Sequence, residues 1–247
     1  RAASSAGELA GLDLSAPSAP QPAPNLASAA HLTPEWEVGY NRLYFADEGV
    51  LFEDAQIQVG LRSEFRGHMG VVKIYIMNKS SYPIGSLTTT LDNPSSPNLK
   101  IDSKNLPDAS VASMSQTQQT LLFEAHGAFA EAPTIRISYL AGALQAYTLQ
   151  LPIQMHRYME PSTLTAEEFF KRWRQIGGGP LEAQSTFGIK GKKKSISEAF
   201  TRRLIQKFQW RILDGVDPNP SNIVGCGVYH LASGKTGCLM RLEPNYE

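Results

Sequence analysis

At 247 residues the chain can hold one large domain or two smaller ones, since single cores stop growing at roughly 250 residues. Its 23 basic residues balance 23 acidic ones, which removes any global electrostatic attraction to nucleic acid or anionic membrane. No apolar run approaches the roughly 18 residues that cross a bilayer, the opening RAASSAGELA lacks the charged start and apolar centre of a signal peptide, and Cys226 and Cys238 alone make no disulfide framework, so a soluble chain suited to a reducing compartment is expected. Arg1 in place of an initiating Met reads as a piece of a longer chain.

Residues 1–33 are rich in Ala, Ser and Pro, as in LSAPSAPQPAPNLASAA, and their scattered leucines form no packed stripe; the composition predicts a disordered linker. In HLTPEWEVGYNRLYF, Trp36, Tyr40, Leu43 and Tyr44 recur at near-helical spacing while Pro34 and Gly39 interrupt, which leaves helix and loop both open.

From Val50 the period becomes two. Ile57, Val59, Leu61 and Phe65 alternate with Gln58, Gly60, Arg62 and Glu64, and Val72, Ile74 and Ile76 repeat the pattern in VVKIYIMNK. TIRISYL and YTLQLPIQM follow, and the turn-rich stretches LDNPSSPNL and YLAGALQ lie among these runs. Several short alternating strands without a convincing helix predict an antiparallel, immunoglobulin-like β-sandwich over 34–157.

After MHRYMEPS the pattern turns helical. Thr165 and Glu168 form a capping box, Leu164 is placed to staple against Phe169, and Gly177 follows Ile176 as a C-terminal cap. A second helix is predicted over 197–213, with Phe200, Leu204, Phe208 and Ile212 at four-residue steps and a stop at Gly215. GIKGKKKS between them is a Gly- and Lys-rich loop. The turn DPNPSN then leads to IVGCGVYHL and GCLMRLE, joined at ASGKT, so 158–247 reads as a smaller α+β subdomain.

Catalytic signatures are weak. SGKT lacks the earlier glycine of a phosphate loop, because Tyr229 stands there. Cys226, His230 and Cys238 lack paired zinc-ligand spacing, and such cysteines are more often core. The five histidines are scattered, with no Gly-x-Ser-x-Gly elbow beside them. The reading is therefore a non-enzymatic chain without cofactor or metal. The basic run from Lys190 to Lys194 reads as a solvated loop that can steer an acidic partner, with an anionic-lipid site as the lesser alternative.

The helix in TAEEFFKRWRQIGGG carries the sharper signal. Phe169, Trp173 and Ile176 fall within about 60° of one another, an ordinary core stripe, whereas Phe170 projects about 100° from Phe169 with Arg174 just beyond. An off-stripe aromatic beside an edge tryptophan and a cation is the composition of an interaction hot spot, and plain packing remains the alternative.

GVLFEDAQIQVGLRSEFRGHMG, EEFFKRWRQ, VDPNPSNIVG and CLMRLEPN, in this order, resemble the C-terminal appendage, or ear, of the alpha-adaptins, the large subunits of plasma-membrane clathrin adaptors. The resemblance covers 36–247 and implies a sandwich followed by a platform that recruits endocytic accessory proteins through short linear motifs. It implies a pocket for Asp-Pro-Phe, Asp-Pro-Trp or Phe-x-x-Phe peptides with Trp173 and Phe169 or Phe170 at its base and Glu182, Arg241 and Glu243 at its rim. A second peptide site would lie around Tyr75, Met77 and Asn78, where Tyr75 replaces a phenylalanine and Met77 a glycine of animal relatives. It also implies partnership with other adaptor subunits, clathrin as a candidate partner, and a cytoplasmic, peripheral location at coated pits. The family's platform continues past Arg-Leu-Glu-Pro-Asn into a strand and helix that this sequence does not include. A structural sandwich that scaffolds a coat without binding peptides is the competing reading.

Overall fold

Alternation of apolar and polar side chains becomes alternation of burial in the computed structural model, which describes residues 32–179, 181–186 and 197–243. The linker expectation for 1–33 and the lysine loop thus fall almost wholly outside the described residues. Helix α1 (Trp36–Leu43) precedes the strands β1 (Glu48–Glu53), β2 (Ile57–Arg66), β3 (Met69–Asn78), β4 (Gly85–Asp92), β5 (Leu99–Ser103), β6 (Gln116–Ala125), β7 (Thr134–Ala141) and β8 (Ala143–Gln150). These form two antiparallel sheets, a five-stranded one in the order β1-β2-β3-β6-β5 and a three-stranded one in the order β4-β7-β8. Ile57, Val59 and Leu61 on β2, Val72, Ile74 and Ile76 on β3, and Ile135, Ile137 and Tyr139 on β7 are all buried in one core. Arg62 and Lys73 on the other face are exposed, and Gln58 is intermediate. A one-residue slip would turn these sets inside out, so burial of one face fixes the register.

Three strands with weak apolar alternation complete the sandwich. β6 places Thr117 and Gln119 at inward positions, where Thr117 donates to Asp108, and Gln119 accepts from Thr89 and donates to Ser103. These partners satisfy polar groups that burial would otherwise penalise. β4 and β5 are short and rich in Thr, Ser and Lys.

A 3₁₀ turn at Met155–Tyr158 leads to the platform: β9 (Met159–Pro161), α2 (Ala166–Ile176), α3 (Glu198–Lys207), β10 (Arg211–Ile212), β11 (Ile223–Leu231) and β12 (Gly234–Leu242). The predicted capping box of α2 is present, with Thr165 accepting from the Glu168 amide and the Glu168 carboxylate receiving the Thr165 amide, and Gly177 caps the end at φ 62°. α3 is shorter than the spacing predicts. It ends at Lys207 with Phe208 as its C-cap, Gln209 turns the chain at φ 64°, and Arg211–Ile212 pairs with β11 as a strand, so Gly215 is not its stop. Ile205, not the four-residue stripe, is its buried residue, and Phe200 is 53% exposed.

The platform sheet has β11 at its centre, bonded to β12 on one edge and to β10 and β9 on the other. Val224 and Cys226 face α2, while Tyr229, Leu231 and Cys238 pack into the sandwich core. Tyr229 also donates to the Gly127 carbonyl at 2.8 Å, and the Ala232 amide to the Ala125 carbonyl at 2.8 Å. The two cysteines therefore belong to different apolar clusters, one above the sheet and one below.

Candidate functional site

The platform face is built on α2. Phe169 is fully buried with Leu213, Val224 and Cys226, and this contact pins the helix to the sheet. Trp173 stacks on Phe169 with ring centroids 5.5 Å apart and planes 22° apart, and Phe170 meets Phe169 edge-on at 5.4 Å. Both rings are half-buried and keep an accessible side. The hairpin register supplies the rest. Cys226 lies opposite Leu239 and Val224 opposite Arg241, and directly opposed residues share a face, so Leu239 and Arg241 project to the α2 side from β12. Leu239 and Val216 pack against the same cluster as Trp173 and Phe170.

Arg241 is anchored by the turn that follows β10. Asp217 Oδ1 accepts from the Asn219 amide at 2.9 Å and from Asn222 Nδ2 at 3.2 Å, and Oδ2 accepts from Arg241 Nε at 2.6 Å. The Arg241 bond, first among several, holds the Asp217 carboxyl below the usual range, and the same bond raises the guanidinium. Arg241 Nη1 also lies 2.5 Å from Glu243 Oε1.

Of the residues expected in a peptide pocket, the structure thus gathers Phe169, Phe170 and Trp173 on one helix and Arg241 on β12 beneath, with Glu243 just past the end of that strand. Glu182 stands apart: its carboxylate accepts from Gln184, and its neighbour Leu181 lines a cavity of about 250 Å³ with Arg172 and Ile176. On the helical wheel that is the flank of α2 away from Phe170. Asp217 and Leu239 were not singled out from sequence. The hairpin register carried the signal for Leu239, and an Asp heading a Pro- and Asn-rich turn was the signal for Asp217.

On the sandwich, Tyr75 and Met77 point outward from β3, with Gly60 and Gln118 paired to Tyr75. Asn78 is fully buried: Nδ2 donates to the carbonyls of Tyr82, Val111 and Ala112, and Oδ1 accepts from the Ser80 amide and hydroxyl. Its side chain ties loops together and leaves Tyr75 and Met77 as the accessible pair. Among the described residues, no group of three or more His, Cys, Asp or Glu side chains is arranged to hold a metal.

Comparison with known proteins agrees with this architecture. Residues 47–152 match the family described as adaptin C-terminal domain, and 157–247 the family described as alpha adaptin AP2, C-terminal domain. The AP-2 complex subunit alpha of Schizosaccharomyces pombe is 33% identical over 235 residues, covering 92% of this chain and 26% of its own. The AP-2 complex subunit alpha-2 of Dictyostelium discoideum is 34% identical over 213 residues, covering 83% of this chain and 21% of its own. The AP-2 complex subunit alpha-1 of Arabidopsis thaliana is 31% identical over 206 residues, covering 83% of this chain and 20% of its own. The chain therefore spans only about a fifth to a quarter of the length of these relatives, between 20% and 26%. With both its sandwich and its platform matched in order, it belongs to the alpha-adaptin family, as a clathrin adaptor ear.

Proposed function

We propose that the α2 face binds short linear motifs of Asp-Pro-Phe, Asp-Pro-Trp or Phe-x-x-Phe type and so recruits endocytic accessory proteins. The supporting observation is the half-open Trp173 ring, braced from below by buried Phe169 and accompanied on one face by Phe170, Leu239 and Arg241. An aromatic ligand side chain can stack on Trp173, and Arg241 can meet a peptide carboxylate or carbonyl. Burial of one aromatic side chain contributes roughly 1.5–3 kcal/mol, so a single motif binds at about micromolar to millimolar strength. Several motifs on one partner then raise the effective concentration of each later contact. In this reading the chain works on the cytoplasmic side of the plasma membrane at coated pits, as part of an adaptor with other subunits and with clathrin as a further partner. No helix among the described residues is long and apolar enough to cross a membrane.

Titration of an Asp-Pro-Phe peptide by fluorescence anisotropy tests the proposal. Trp173→Ala should weaken binding by about tenfold or more, the truncation cost of a central aromatic contact. Unchanged affinity in that variant, or no binding to the unmodified chain, would remove the peptide-recruitment reading.

A further inference from the structure

The rim of the platform face holds one guanidinium between two carboxylates that are fixed very differently. Asp217 has a side chain only 3% exposed, and both its oxygens are engaged, one by Arg241 Nε and the other by the Asn219 amide and Asn222 Nδ2. It is part of the 217–222 turn. Glu243 is 62% exposed, and Arg241 Nη1 is its ion-pair partner among the described residues. A pair so open to water is weak and exchanges readily, whereas the Asp217 contact is locked by its surroundings.

We infer that Glu243 is an intramolecular competitor for the acidic residue of a bound motif. A ligand carboxylate takes its place on Arg241 Nη1 while Asp217 keeps the guanidinium oriented. The inference rests on the reading of this face as a peptide site. Glu243 is two residues from Arg241, so tethering gives it a high effective concentration at the guanidinium. An acidic ligand must displace it; a ligand held by its aromatic ring alone need not. Glu243 thereby mutes the preference for Asp over a neutral residue in the motif, and it acts as a selectivity residue rather than a contact that holds the peptide.

The test compares Asp-Pro-Phe and Asn-Pro-Phe peptides on the whole chain and on Glu243→Gln at one ionic strength. The Asp-over-Asn affinity ratio should rise about two- to fivefold in Glu243→Gln, the range set by an exposed ion pair. The ratio is decisive because a structural effect of the substitution moves both peptides together. A flat ratio with binding intact overturns the competitor role and leaves the peptide site standing. A lower ratio shows that Glu243 holds the peptide, which also overturns it. Absence of binding by either peptide to the unmodified chain removes the peptide site and this inference together.

Discussion

Phe169 and Trp173 lie one helical turn apart with rings nearly parallel, yet only Phe169 is closed to solvent. The two should therefore separate stability from recognition. Phe169→Ala removes a fully buried ring from the small cluster that docks α2, and should cost about 3–5 kcal/mol in chemical denaturation. Trp173→Ala removes a half-buried ring that still stacks on Phe169, so about 1–2 kcal/mol is expected, more than for a detached surface residue. Equal losses at both positions would show that α2 has no accessible aromatic face. From the sequence alone the two share one 60° stripe, and nothing in helical periodicity says where along that stripe the sheet ends. The packing decides it: Phe169 is a buried member of the cluster with Val224 and Cys226, and Trp173 packs only partly buried against it.

At the scale of elements, Gly39 shows how one residue can mislead. It reads as a breaker in the first helix, but a Cβ there would lie 1.7 Å from the Leu51 carbonyl oxygen, so the missing side chain is what lets α1 rest on β1. Gly39→Ala gains up to about 1 kcal/mol of helix propensity and loses about 1–3 kcal/mol or more to the clash. A lower melting temperature is expected; one equal to or above the parent would mean that α1 shifts without loss. The same logic explains which strands were legible. β2 and β3 announce themselves because water on one face and core on the other force strict alternation. β6 does not, since its inward Thr117 and Gln119 are kept by polar partners on other segments that no local pattern reveals. α3 looked longer because Phe208 and Ile212 continue its spacing; the chain instead turns at Gln209 to pair with β11. Asp217 stayed invisible as an anchor because Arg241 arrives from another strand.

Across the whole molecule, the junction between sandwich and platform is aromatic and tightly bonded. His156 is buried, stacked on Tyr44 at 5.3 Å and edge-on to Phe208 at 5.3 Å. Arg157 beside it donates to Asp47 and to the carbonyls of Leu43 and Ala46. Burial first, then the Arg157 charge, pushes the His156 imidazole from 6.5 down to about 4. The unfolded chain therefore takes up the proton before the folded one does. The stabilising contribution is present above pH 6.5 and is lost as pH falls toward 4, amounting to about 2–3 kcal/mol. Urea unfolding at pH 7 and pH 4.5 should show a difference that shrinks in His156→Gln; an unchanged difference would place the acid sensitivity elsewhere. The junction has a further consequence. Because Tyr229, Leu231 and Cys238 close the sandwich core from the platform side, neither half owns a complete interior. A platform grafted alone onto another protein would expose these apolar side chains to water, whereas sandwich and platform transplanted together would travel as one head with the α2 face held at a set angle.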